Sequence, residues 1–135
     1  MIETFTFLAL GAYFGIIEAI LFHLVDWNRL KEFNARRDIH QVFSFVRVLA
    51  YFTIWGIDGE SLMFVIPCIL MFPFIHDGVY YQVRYFYNRG IYKKGFFSDP
   101  SRLGTAITSM SFKNRLISFL LGLGACIIIE NYWRL

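Results

Sequence analysis

Charge is what this sequence has least of. Asp, Glu, Lys and Arg make up 17% of its 135 residues, where a soluble domain carries about a quarter. No polar or basic block is long enough for a disordered segment or a nucleic-acid-binding arm, so both classes are excluded. Two cysteines are too few for a secreted scaffold built on disulfides. The first apolar run lacks the basic lead and small-residue cleavage site of a signal peptide: Glu3 precedes it and Asp26-Trp27-Asn28 ends it, so it reads as a retained helix. HExxH, Glu-x-x-His and His-x-x-His pairs are missing, as are Walker, Rossmann and kinase signatures and a nucleophile elbow.

What is present is apolar and aromatic. Hydrophobic residues reach 57% and aromatics 20%, with a mean hydropathy of +0.51. They gather in runs close to the ~20 residues that cross a bilayer. The reading is an all-α, polytopic integral membrane protein of one domain, residues 1–135, with four transmembrane helices at about 5–25, 40–57, 62–84 and 116–132. The connections 26–39 and 85–115 lie between them, and Pro67 and Pro73 predict a kink in the third span. In the second connection Asp99 is placed to cap a helix with Pro100 at its first position. Leu103, Ala106, Ile107 and Met110 follow at helical spacing, so a short amphipathic helix on the membrane surface is expected there.

The bases set an orientation. Arg29, Lys31, Arg36 and Arg37 fall in the first connection, and Arg84, Arg89, Lys93, Lys94, Arg102, Lys113 and Arg115 around the second, eleven of the thirteen in the chain. Arg134 is left with Glu3, Asp58, Glu60 and Glu130 on the other face. By the positive-inside rule the basic connections are cytoplasmic and both termini outside. The net charge of +3 therefore marks topology and contact with anionic headgroups of the lipid bilayer, with no nucleic-acid partner implied.

Close contact between helices in lipid depends on small residues. Gly11, Gly15 and Ala19 form one series at fourfold spacing, and Ser118, Gly122 and Cys126 another. These faces suit packing on each other or across a homo-oligomer, or within a larger membrane complex. Cys68 and Cys126 fall at matching depth and are expected to be free packing residues near one another.

The ionisable residues give the sharpest pattern. Glu18, Arg47 and Asp77 each lie seven residues from the cytoplasmic end of their span, ~10 Å deep at ~1.5 Å per residue. His23, Asp26, His40 and Arg84 form a layer nearer the surface, and His76 adjoins Asp77. Helical spacing puts Tyr80 on a common face with His76, Asp77 and Arg84. Charges at this depth pair inside the protein or line a wet cavity. One arginine can serve two carboxylates, so Arg47 between Glu18 and Asp77 would act as structural glue. The histidines favour a functional reading, because glue does not require imidazole. That reading is a small oligomeric multi-pass protein whose cytoplasmic-side polar cluster lines a pore or ligand cavity, as a channel-like, transport or effector subunit. The alternative is a membrane-embedded enzyme acting at the cytoplasmic interface on a lipid-like substrate, with acid–base groups among these residues. Its metal or haem would be held by His23, His40, His76 and Asp77.

Overall fold

A computed structural model of the chain describes residues 2–24, 49–50, 63–90, 92–100 and 110–133. Among these, three α-helices account for nearly all regular structure and no strand occurs. Helix α1 covers Ile2–Leu24, α2 covers Val65–Tyr87 and α3 covers Phe112–Trp133.

Among the described residues a bundle of four membrane spans is not supported. Two of the helices are long and apolar enough to cross a membrane, at Thr4–Leu21 in α1 and Phe112–Tyr132 in α3. Helix α2 does not meet that standard, because His76, Asp77, Gln82 and Arg84 interrupt its apolar run in its second half. The span expected at 40–57 lies outside the described residues apart from Leu49 and Ala50. The amphipathic helix expected after Pro100 likewise falls on residues outside the description, 101–109.

Local chemistry explains the helix limits. Pro67 sits in the first turn of α2, where its missing N–H has no intrahelical partner to lose. Pro73 lies inside the helix, which continues through it to Tyr87. Asn88 then leaves helical geometry while its N–H still donates to the Arg84 carbonyl at 2.8 Å. A 3-10 turn follows at Gly95–Phe97. Gly95 has φ +52°, a left-handed conformation that glycine adopts without steric cost. Ser111 caps α3, its Oγ accepting the Asn114 N–H at 3.3 Å. Asp99 Oδ1 accepts the Phe112 N–H at 2.7 Å at the start of α3.

Helix α2 is the central element and packs against α1, α3 and the 3-10 turn. Both small-residue series are spent on it. A Cβ on Gly15 would lie 2.6 Å from the His76 carbonyl oxygen, and one on Gly122 2.5 Å from the Pro67 carbonyl oxygen. Ser118 Oγ donates to the Leu70 carbonyl at 2.6 Å. The pairings give directions: Phe7 beside Phe72 and His23 beside Tyr87 make α1 and α2 parallel, whereas Ser118 beside Leu70 and Gly122 beside Pro67 make α3 antiparallel to α2. The core is Phe7, Cys68, Met71 and Cys126, flanked by Leu8, Phe64, Val65, Phe72 and Phe119. Both cysteines are free and buried in this one cluster.

Candidate functional site

Glu18 stands three residues after Gly15 on α1, close to the same face, so the contact that Gly15 permits brings the carboxylate against α2. It meets His76. Glu18 Oε2 lies 3.1 Å from His76 Nε2, and His76 Nδ1 lies 2.9 Å from Asp77 Oδ1. Glu18 and His76 are each 6% exposed, and Asp77 is half-buried beside them. The imidazole stacks on Phe72, with ring centroids 4.8 Å apart and an interplanar angle of 18°. One ring is thus held between two carboxylates from two helices.

The chemistry of that arrangement concerns protons. A neutral imidazole has one N–H and one lone pair, and a carboxylate only accepts. Both contacts become hydrogen bonds together only if the ring carries two protons or one acid carries one. The Asp77 side is already a hydrogen bond. On the Glu18 side the groups are in charge contact without the alignment of a hydrogen bond. Tyr80, one turn further along α2, is within electrostatic reach of Glu18, Arg84 and Tyr92.

The remaining sequence-predicted residues separate into two groups. His23 is exposed at the end of α1 and stacks on Tyr87 at 4.1 Å, away from the trio. Arg84 is half-buried on α2 with its Nε buried and without a hydrogen-bond partner. Arg47, Asp26 and His40 lie outside the described residues, and with them the Arg47 bridge; of the metal candidates His23, His40, His76 and Asp77, only His76 and Asp77 are brought together among the described residues. Among the described residues no group of three or more His, Cys, Asp or Glu side chains could hold a metal ion.

Arg115 is the group that sequence reasoning did not single out. It was counted with the basic connection, yet its side chain is fully buried. Its Nη2 donates to the carbonyls of Ser98 at 2.6 Å and Phe96 at 3.4 Å, and its guanidinium carbon lies 4.9 Å from the Tyr81 ring centroid. Tyr81 stacks in turn on Tyr92 at 4.6 Å. The 3-10 turn that supplies the carbonyls is tied to α2 by the Phe96 N–H donating to Gln82 Oε1 at 2.9 Å. A signal was available: Arg115, Ser118, Gly122 and Cys126 recur at helical spacing on the face that packs on α2.

No protein-family model, curated protein or solved structure matches this chain, and its functional reading rests on these side chains.

Proposed function

We propose that this protein is embedded in a membrane, with α1 and α3 crossing it and α2 alongside them, and that the Glu18–His76–Asp77 cluster serves the movement of protons or small cations. The observation that carries the reading is the buried imidazole held between acids on two helices. Structural glue needs one cation and one anion; a titratable ring with a carboxylate on each nitrogen is suited to passing a proton from one to the other.

The membrane part is supported by where the apolar surface lies. Only 33% of the Thr4–Leu21 stretch and 22% of the Phe112–Tyr132 stretch are buried within the chain, while Phe5, Leu121 and Ile128 point outward. An apolar face that large is solvated by lipid at no cost and by water at a high one. The Lys and Arg residues at 29–37 and 84–115 favour a cytoplasmic location for the C-terminal ends of α1 and α2 and the start of α3, with both termini outside. A chain of 15.9 kDa encloses little by itself, so the path is completed by further copies or by a larger membrane complex.

The test is reconstitution into liposomes loaded with a pH-sensitive dye. Wild-type protein is expected to dissipate an imposed pH gradient, and Glu18→Gln, His76→Gln and Asp77→Asn each to slow it at least about tenfold, while Ile128→Ala on the outward face leaves it unchanged. Absent flux, or equal flux in all the variants, would overturn the proposal.

A further inference from the structure

Arg115 carries a permanent charge that no carboxylate among the described residues meets in a direct ion pair. A guanidinium has five N–H donors and does not lose its proton in a protein. Two of the five are directed at Ser98 O and Phe96 O. Nε and Nη1 are buried and meet no hydrogen-bond acceptor among the described residues. Two carboxylates bias the charge through space, Asp77 and Asp99, but each has an oxygen engaged elsewhere. Asp99 Oδ1 accepts from the Phe112 N–H, and Asp77 Oδ1 faces His76 Nδ1. A buried cation with N–H groups that lack acceptors is costly, and such groups cluster at functional sites.

We propose that Arg115 anchors a binding site for a phosphate group, at the end of the fold where α2 finishes and α3 begins. Three features select phosphate. The donors without acceptors, Nε and Nη1, flank Nη2 on either side, so displacing a carbonyl from Nη2 frees a planar fork that matches phosphate oxygens. Lys113, Lys93 and Lys94 are exposed on the segments that flank the site, so a second negative charge on the ligand is also met. Phe97, exposed, and Phe112, half-buried, stand edge to face beside the turn, aromatics of the kind found where lipid headgroups meet protein. The same chemistry would take the phosphate of an acidic lipid or a soluble phosphate.

The cover of the site is the turn at Gly95–Phe97 together with Ser98. Its carbonyls occupy Nη2, and the bond from Phe96 N to Gln82 Oε1 holds it to α2. A phosphate reaching the guanidinium shifts this turn, so ligand binding and protection of its amides are linked. The site does not depend on proton movement at Glu18–His76–Asp77, and the two proposals fail separately.

The experiment uses the full chain in phosphatidylcholine nanodiscs, alone or with phosphatidic acid, and the same protein in detergent with inorganic phosphate. Lipid retention is read by native mass spectrometry, phosphate binding by equilibrium dialysis, and the turn by hydrogen exchange at residues 95–98. Wild-type protein is expected to select phosphatidic acid over phosphatidylcholine, or to bind inorganic phosphate over chloride, with changed exchange in the turn. Selection of the lipid alone identifies a headgroup site, and binding of inorganic phosphate identifies a soluble ligand. Arg115→Gln should weaken binding at least tenfold, with Arg115→Lys between it and wild type. No preference for either phosphate source overturns the proposal, as does wild-type affinity in both variants. If Arg115→Gln does not fold, the Lys variant and the ligand-dependent exchange of the wild-type turn decide.

Discussion

Replacing Gly15 by alanine tests whether the contact between α1 and α2 sets the candidate site. The added Cβ would stand 2.6 Å from the His76 carbonyl oxygen and 3.4 Å from the Tyr80 nitrogen. Both are backbone atoms within a helix, so no side-chain rotamer relieves the clash. Ordinary contact begins near 3.4 Å, which requires α1 to withdraw by about 0.8 Å at this point. Overpacking of this kind costs ~1–3 kcal/mol, partly offset by the ~1 kcal/mol that alanine gains over glycine as a helix former. The displacement also carries Glu18 away, since it lies three residues further on α1. Its present 3.1 Å contact with His76 would open beyond hydrogen-bonding distance. Unfolding in mixed micelles with increasing SDS, followed by circular dichroism, measures the stability. Gly124→Ala is the control, because a Cβ there meets nothing within 4 Å and keeps the full helix-propensity gain. Gly15→Ala should fall below Gly124→Ala by at least ~1 kcal/mol and lose proton flux. Equal stability of the two variants would refute the packing argument.

Three further outcomes follow from single contacts. Ser118→Ala removes the 2.6 Å hydrogen bond to Leu70 O and should destabilise by ~0.6–1 kcal/mol in the same unfolding assay. Gly95→Ala places a side chain at φ +52°, which costs ~1–2 kcal/mol and should raise hydrogen exchange at residues 95–98 more than in α1. Cys68 and Cys126 share the buried core, so a charged maleimide should label neither in the folded protein and both after denaturation; rapid labelling of the folded chain would contradict that core.

Helix positions were legible in the sequence because long apolar runs leave the backbone little alternative. The run expected at 5–25 forms Ile2–Leu24, and that at 116–132 extends one turn earlier, to Phe112. Ser111 explains the earlier start, since its hydroxyl caps the helix there. The small-residue faces were legible too, although the sequence did not reveal that both would be used on α2, which depends on chain direction and not on spacing. Counting α2 as the third of four spans failed because hydropathy falls across His76, Asp77, Gln82 and Arg84. Depth placed Glu18 and Asp77 in one layer, and the structure brings both to His76. The sequence favoured arginine as their bridge since depth arithmetic treats each charge alone; it cannot show that the imidazole next to Asp77 turns toward α1. Arg115 was missed for a related reason. Charge counting assigns an arginine at a helix start to the surface, while its place on the Ser118–Gly122–Cys126 face buries it.

The most direct test of the central claim is a double-mutant cycle on proton flux with Glu18→Gln, Asp77→Asn and the combined variant. If one ring passes protons between the two acids, either single change breaks the path. The double variant should then be no slower than the slower single variant. Multiplication of the two losses in the double variant would show that Glu18 and Asp77 act independently, and would contradict a relay through His76.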